Sequence, residues 1–231
     1  MHPVRKSMAA TLIAFSLATL IATPALAGAH QNRVASELST GTDWDLDLTE
    51  QARSQWNDYM SHLSAQEKWF VGDYAGGGSA HLNRHLNEGG WSPGDYLKPE
   101  ERARQLKSLD EILSGRRTDR EYIVTRGTNL RFSEQQFQNL TGKEIEHKGY
   151  MSTSVGPVPP KDFRDKNSIL HLRVPKGVSA GYIESLSPSP EEKELLIARG
   201  SEIRVSRSFC GIRNPGGTCK QWQIFGEVEV R

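Results

Sequence analysis

The sequence lacks a strong excess of charge of either sign. Its 231 residues include 29 Lys and Arg against 28 Asp and Glu. Nucleic-acid binding usually requires a marked basic excess, so no nucleic-acid partner is predicted. The sequence also lacks a long apolar run, because Ala9–Ala22 falls short of the ~20 residues that a membrane-spanning helix needs. No membrane insertion is predicted either.

Cysteine is scarce, with only Cys210 and Cys219 in the chain. No C-x-x-C motif and no nearby histidine accompany them, so a metal or redox pair lacks companions. In an exported protein they predict one disulfide across a hairpin loop. His81 and His85 have the spacing of a zinc-protease helix, but Leu82 stands where such a helix carries its general-base Glu. No metal is therefore predicted.

The first 27 residues differ from the rest of the chain. Arg5 and Lys6 lead into the apolar run Ala9–Ala22, and small residues ending at Ala27 close it. This pattern is typical of a secretory signal peptide, so we predict cleavage after Ala27 and a secreted protein. Its removal leaves 27 basic and 28 acidic residues. We expect a flexible leader over 28–45 and a single domain over 46–231.

The first half of that domain has helical patterns. Thr49 is predicted to cap a helix whose apolar residues include Ala52, Trp56 and Met60. Ser64 and Glu67 have the spacing of a capping box that starts a second helix. Three glycines, 76–78, indicate a hinge before a short helix that runs from Ser79 to Leu86. Pro99 is placed to begin another helix, which Gly115 ends.

From Glu121 onwards the pattern changes to short β-like runs. One helix, capped by Ser133 with Gln136, interrupts them. Helices followed by mostly antiparallel strands predict an α+β domain. The predicted strands are Tyr122–Arg126, Tyr150–Ser154, Ile169–Val174, Glu194–Ala198, Ile203–Ser206 and Trp222–Val230.

A short acidic stretch near the C-terminal end is the first candidate site. If 192–197 is extended, Glu192 and Glu194 project from one face, roughly 6 to 7 Å apart, while Lys193 points away. Two carboxylates in that arrangement can act on one substrate. The alternative is a solvated, charged start of a strand.

Two other stretches could complete a site with these acids. Arg126 ends a strand beside Gly127, where a backbone can approach a ligand and a guanidinium can bind a phosphate. Ser152 and Ser154 share one face of a later strand and could position a carboxylate or a ribose. A surface arginine and ordinary strand serines are the alternatives.

The chain resembles bacterial mono-ADP-ribosyltransferase toxins of the ADP-ribosyltransferase exoenzyme type. Their signature is an arginine, then a Ser-Thr-Ser run, then a Glu-x-Glu pair, and it corresponds here to Arg126, residues 152–154, and Glu192 with Glu194. The resemblance starts near Leu63 and covers about 170 residues. It includes LSAQEKWFVGDYAGGGSAHLNRHL, EYIVTRGTN, LTGKEIEHKGYMSTSV, ILHLRVPKG and EKELLIARGSEIRV. Single motifs of this kind are weak, but several in the family's order are specific.

The resemblance implies helices packed on a split, two-sheet, mostly antiparallel β core, with NAD as co-substrate in the cleft between the layers. Arg126 would pair with the NAD phosphates, and Ser152 would orient Glu194. Glu194 would hold the nicotinamide ribose and stabilise the positive charge that develops as nicotinamide leaves. Glu192 would position and help deprotonate the acceptor. Because the first acid is Glu rather than Gln, the chain resembles the branch that modifies arginine.

Further positions are carried over from the family onto matching residues of this sequence. Gly127, Thr153, Ser154, Tyr74, Asn83, Phe163 and Arg164 would contribute to NAD binding. Many relatives carry an NAD-binding arginine shortly after Asn83, where this chain has His85, Leu86 and Asn87. The loop over 181–189 lacks the family's usual aromatic residue near the acids, which leaves Tyr182 and Leu186 as candidates for recognising the target.

These observations predict an exported, toxin-like mono-ADP-ribosyltransferase with NAD glycohydrolase side activity. Its partner would be a target protein that carries an acceptor arginine, and a monomer is expected. An NAD glycohydrolase on the same fold is the first alternative. A secreted binding module that has lost catalysis is the second, and the intact set Arg126, Ser152, Glu192 and Glu194 argues against it.

Overall fold

A computed structural model describes residues 44–91 and 94–230. The predicted signal peptide and nearly all of the predicted leader lie outside the described residues. Within the described ranges, no helix is both long enough and apolar enough to cross a membrane. The helices are α1 Trp44–Ser61, α2 Ala65–Asp73, α3 Ser79–Glu88, α4 Pro99–Ser114 and α5 Glu134–Gln138, with a π-helical turn, Tyr74–Gly78, between α2 and α3.

The first helix begins earlier than the sequence predicts. Thr49 does not cap it, because α1 already runs from Trp44 and includes the last two residues assigned to the leader. Gln51 donates to the Asp47 carboxylate at 2.6 Å, an i,i+4 contact that requires a helix through this turn. Ala52, Trp56 and Met60 are buried as expected and form the stripe that packs on the strands.

The other helix signals are confirmed. The Ser64 N–H donates to Glu67 Oε2 at 2.7 Å and the Glu67 N–H donates to Ser64 Oγ at 3.3 Å, which is the predicted capping box. Ser133 and Gln136 form a second one. Helix α4 begins at Pro99 and ends before Gly115.

Eight strands form a curled, mostly antiparallel sheet, which confirms the α+β class. They are β1 Tyr122–Thr128, β2 Glu144–His147, β3 Met151–Val155, β4 Ser168–Val174, β5 Ala180–Tyr182, β6 Glu194–Ile197, β7 Ser201–Arg213 and β8 Cys219–Val228. Their order is β2-β7-β8-β4-β1-β3-β6-β5. Only the β4–β8 pair is parallel among these strands.

The sheet narrows between β1 and β3. These strands share two paired positions, Val124 with Val155 and Thr125 with Ser154, whereas β1 and β4 are paired along seven residues. A larger and a smaller group of strands meet here in one continuous sheet, where two sheets were predicted. The helices cover one side, with the rings of Trp56 and Tyr122 5.4 Å apart.

Two strands were not predicted. β2 has the polar sequence Glu-Ile-Glu-His and lies at one edge, paired only with β7. β5 has three residues and forms the opposite edge, in a stretch that sequence analysis assigned to a loop. Neither segment is long or apolar enough to give a clear alternating pattern.

The predicted disulfide is confirmed. Cys210 and Cys219 are joined across the β7–β8 hairpin, with an S–S distance of 2.11 Å and a Cα–Cα distance of 5.7 Å. The two histidines of α3 have other contacts: His81 lies 3.7 Å from an Asp95 carboxylate oxygen, and the His85 ring stacks on Trp91 at 3.7 Å.

Candidate active site

The predicted acids, arginine and serines meet at one narrow cavity of about 70 Å³. It lies at the junction of β1, β3 and β6, and a short turn, Lys161–Phe163, closes one side of it. A larger groove of about 560 Å³ lies elsewhere, between α4 and the β6–β7 turn, and none of the predicted site residues line it. The lining of the narrow cavity consists of Thr125, Arg126, Gly127, Ser152, Thr153, Ser154, Pro160, Phe163, Glu192 and Glu194.

Glu194 is the buried acid of this cavity. It is the first residue of β6, pairs with Ser154 across the sheet, and is 5% exposed. Burial, together with the neighbouring Glu192, raises the pKa of Glu194 to about 7, although a hydrogen bond from Ser152 and the charge of Arg126 oppose the rise. Near neutral pH the Glu194 carboxyl is therefore partly ionised, and its charged form, which water solvates poorly, gains strongly from a cationic partner.

Ser152 is held in place from the side of the helices. The Tyr74 hydroxyl lies 3.4 Å from Ser152 Oγ and donates to the Tyr150 carbonyl at 3.3 Å. Asn83 fixes this arrangement, since its Nδ2 donates to Tyr74 Oη and to the Tyr150 carbonyl, both at 3.2 Å. Burial raises the pKa of Tyr74 to about 12, so it is a neutral hydroxyl here.

Tyr74 and Asn83 therefore lie behind Ser152, and neither lines the cavity. From these positions they orient Ser152, and Ser152 in turn donates to Glu194.

Arg126 supplies the positive charge of the cavity. Its Nη1 donates to the Ser152 carbonyl at 2.6 Å, which ties β1 to β3 beside their narrow junction. Burial lowers the pKa of Arg126, while the charge of Glu194 opposes that fall. Guanidinium groups stay protonated in proteins, so the cavity combines a fixed cation with a titratable acid.

The backbone conformation that places Glu192 at the cavity differs from the one predicted. The expectation of an extended segment over 192–197 is wrong, because Pro190–Glu192 is a 3₁₀ turn and β6 starts only at Glu194. Lys193 between them is left-handed, with φ 49° and ψ 48°. This turn, and not strand alternation, brings both acids to one cavity. Burial, Glu191 and Asp162 together raise the pKa of the Glu192 carboxyl.

Gly127 allows a second segment to close over β1. A Cβ at this position would lie 1.8 Å from the Phe163 carbonyl oxygen, so no side chain fits there. The close approach places Phe163 in the lining of the cavity. Lys166 lies over the same ring, with its ammonium 5.9 Å from the centroid.

Three other predicted residues lie away from the cavity. Arg164 turns back and donates from Nε to the Pro159 carbonyl at 2.8 Å. Tyr182 is fully buried in β5, so the expectation that it contacts a target is corrected: it lies in the core and not on a loop. Leu186 is half-buried on the turn Glu184–Leu186, with its carbonyl against Gly72 of α2.

Two lining residues, Thr125 and Pro160, were not predicted from the sequence. Thr125 adjoins Arg126 in a predicted strand, and its alternation with Gly127 could have indicated a shared face. No sequence signal distinguishes Pro160 within the run 157–160.

Comparisons with known proteins agree with this fold. The family model for the ADP-ribosyltransferase exoenzyme matches residues 44–214. A mono-ADP-ribosyltransferase C3 from Hathewaya limosa is 26% identical over 226 residues, covering 84% of this chain and 86% of the relative.

Solved structures share the fold. Plx2a, an ADP-ribosyltransferase toxin from Paenibacillus larvae, has a TM-score of 0.64 at 21% identity, over 80% of this chain and 96% of Plx2a. C3stau2 from S. aureus, solved with NAD, has a TM-score of 0.62 at 21% identity, over 84% of this chain and 99% of C3stau2. BECa from C. perfringens, solved with NADH, has a TM-score of 0.67 at 20% identity, and this chain matches 48% of its length.

Proposed function

Because the chain belongs to the ADP-ribosyltransferase exoenzyme family of bacterial mono-ADP-ribosyltransferase toxins, we propose that it transfers ADP-ribose from NAD to an arginine side chain of a target protein. The observation that carries the proposal is the convergence of Arg126, Ser152, Glu192 and Glu194 on one narrow cavity. Nicotinamide is the leaving group.

The donor groups of the cavity fit NAD. The guanidinium of Arg126 suits the pyrophosphate, because its paired donors match phosphate oxygens. Phe163 offers a ring for the nicotinamide, and the buried Glu194 offers an anion for the ribose. The cavity of about 70 Å³ accommodates only one end of a dinucleotide, so the adenosine end would extend outside it.

Glu194 is proposed to act in breaking the bond between the ribose and nicotinamide. That bond breaks with its electron pair leaving on the nicotinamide nitrogen, so positive charge develops on the ribose. A fixed carboxylate with little solvent stabilises this charge more than it stabilises the starting state. Ser152, held by Tyr74, keeps the carboxylate in one orientation.

Glu192 is proposed to act on the acceptor. Transfer forms a bond from a guanidinium nitrogen to the ribose carbon and releases a proton from that nitrogen. A carboxylate at the cavity can orient the guanidinium and accept the proton. Supporting this role, Glu192 lies on a turn beside Glu191, more exposed than Glu194 and therefore accessible to a second protein.

Export is part of the proposal. It depends on the signal-peptide pattern over residues 1–27. N-terminal sequencing of protein recovered from the culture medium would be expected to start at Gly28. A start at Met1, or retention of the protein in the cell, would contradict it.

Incubation of the protein with NAD labelled in the adenylate portion, together with a cell lysate, tests the activity. We expect label on protein, and mass spectrometry should locate the added mass on arginine. Free ADP-ribose without labelled protein would indicate an NAD glycohydrolase. A wild-type protein that releases no more nicotinamide than its Glu194→Gln variant would refute both activities.

A further inference from the structure

The hydroxyl of Thr125 is a buried polar group that the roles above leave unused. Thr125 is 0% exposed in β1, and its Oγ1 has no hydrogen-bond partner among the described residues. The residue nevertheless lines the cavity together with Arg126 and Glu194. Other buried threonines differ: Thr153 donates to the Leu195 carbonyl at 2.7 Å, and Thr118 donates to the Pro175 carbonyl at 2.7 Å.

An unpartnered hydroxyl in this position is unfavourable for folding. Burying a hydroxyl without a hydrogen bond costs about 1 to 3 kcal/mol, and nearly all buried polar groups in native proteins have a partner. Valine has the same shape and would avoid that cost. A hydroxyl that has no internal partner, on a residue that lines a cavity, is suited to a ligand that supplies one.

The sheet register locates this hydroxyl relative to the catalytic acid. Thr125 pairs with Ser154, and Ser154 pairs with Glu194. Directly paired residues point to the same face, so Thr125 lies two strand spacings from Glu194, roughly 10 Å between backbones. Gly127, two residues further along β1, shares that face and receives Phe163. Thr125 thus lies on the nicotinamide side of the acid.

We propose that the Thr125 hydroxyl binds the carboxamide of the nicotinamide group. The inference rests on the proposed use of NAD. The phosphates require a cation, which Arg126 supplies, and the ribose is assigned to Glu194. The carboxamide is neutral, with a carbonyl acceptor and an amide donor, and a hydroxyl can pair with either. This contact would hold the ring in the orientation from which it leaves.

His171 is the competing partner for Thr125. It pairs with Thr125 across β1 and β4, and its Nδ1 also has no partner among the described residues. Its Nε2 is engaged with Gln223 Oε1 at 2.8 Å, its ring stacks on Phe225, and it does not line the cavity. If a small movement joined Thr125 to His171, the hydroxyl would serve folding and not the ligand.

The test compares Thr125→Val, which removes only the hydroxyl, with Thr125→Ser, which keeps it. Nicotinamide binding to the protein without NAD would be measured by NMR titration, and ADP-ribose binding in parallel. One lost hydrogen bond should weaken nicotinamide binding about three- to tenfold in the valine variant. The serine variant should stay within about twofold of wild type. ADP-ribose, which has no carboxamide, should bind all three proteins equally.

Stability provides a second readout. Thr125→Val should melt at or above the wild-type temperature, since it removes an unsatisfied hydroxyl. A lower melting temperature with unchanged nicotinamide affinity would overturn the proposal in favour of a contact with His171. If the valine variant does not fold, Thr125→Ala is compared with Thr125→Ser, because these two variants differ only by the hydroxyl.

Different experimental results would overturn the role of Thr125 and the proposed function. Equal nicotinamide affinity in wild type and Thr125→Val, from a wild type that hydrolyses NAD, overturns only the role of Thr125. A wild type that binds no nicotinamide and hydrolyses no NAD overturns both.

Discussion

Glu194, which the proposed function requires, lowers the stability of the folded protein when its buried carboxyl ionises. Its pKa of about 7 in the folded protein lies above the ordinary value of 4.5, with burial as the main cause. Between these two pH values the folded state binds a proton that the unfolded chain has already released. Stability therefore falls as pH rises through this window, by about 3 kcal/mol in total.

We predict opposite effects of Glu194→Gln on stability and on activity. The variant should be more stable than wild type by up to about 3 kcal/mol near pH 8 and about equal near pH 4, because its amide never ionises. It should lose NAD cleavage, whereas wild-type kcat/KM should rise with pH through about 7 as the acid ionises. Denaturant unfolding at both pH values checks the first effect, and a pH profile checks the second.

Glu191→Gln is the control for that comparison, since Glu191 is exposed beside the same turn. Its effect on stability should be small at either pH. A stabilisation by Glu194→Gln that is equal at both pH values would show that ionisation is not its cause.

Glu192 should govern the acceptor and not the cleavage of NAD. We predict that Glu192→Ala lowers transfer to protein at least about 100-fold, the lower range of a general-base contribution. NAD hydrolysis should remain within about threefold of wild type, because water needs no guanidinium site. Labelled-protein and free ADP-ribose assays on one sample check this, with Glu191→Ala as the matched variant. Equal loss of both reactions would contradict the division between the two acids.

At the scale of elements, the turn before β6 shows what a sequence pattern can and cannot provide. The pattern correctly placed Glu194 at the start of a strand. It could not show that Lys193 adopts a left-handed conformation, because non-glycine residues do so rarely and nothing local in this sequence requires it. Both acids therefore line one cavity as predicted, but the extended geometry predicted for them was wrong.

The contact of Gly127 with the turn Lys161–Phe163 is a second element-scale feature. We predict that Gly127→Ala displaces this turn, because the added carbon would lie 1.8 Å from the Phe163 carbonyl oxygen. Overpacking of this kind destabilises by about 1 to 3 kcal/mol. The KM for NAD should rise more than about tenfold, since Phe163 would leave the cavity. Steady-state kinetics and thermal unfolding measure the two effects.

Gly216→Ala is the matched control. Nothing lies within 4 Å of a Cβ at Gly216, which is in the tip of the β7–β8 hairpin. Its kinetics and melting temperature should equal those of wild type. A harmless Gly127→Ala would show that the turn adjusts freely and that its close approach does not shape the cavity.

At the scale of the whole molecule, a buried arginine connects the helices behind the site. Arg102 of α4 is 0% exposed, and its Nε and Nη2 donate to Asp95 at 2.7 and 2.8 Å. Its Nη1 donates to Asp73 at 2.5 Å, at the end of α2 and next to Tyr74. The cluster thereby fixes the segment from which Tyr74 orients Ser152.

We predict that Arg102→Ala destabilises the fold by about 3 to 5 kcal/mol, because it leaves two buried carboxylates without their cation. Arg104→Ala, two residues along the same helix, should change stability by less than about 0.5 kcal/mol. The Arg104 side chain is 63% exposed and lies 4.0 Å from Glu101. Denaturant unfolding of both variants measures the difference, and similar values would mean that the buried cluster contributes little.

The fold could be predicted from the sequence in outline. Capping boxes, Pro99 and apolar spacing located the helices, and β-branched runs located most strands. The pairing of strands could not be predicted, since the parallel contact of β4 with β8 joins residues about 50 positions apart, such as Leu170 and Ile224. Likewise, an arginine such as Arg102 in a helix is normally taken for a surface residue. Only the folded chain shows that two aspartates enclose it.

The position of β8 also determines when the sheet can be completed during synthesis. Among the described strands it comes last in the sequence, yet it lies inside the sheet between β4 and β7. Until residues 219–228 leave the ribosome, β7 and β2 have no sheet to join, and the long-range contacts that close the core cannot form. Under the export proposed above, the chain would cross a narrow channel while this sheet is still incomplete.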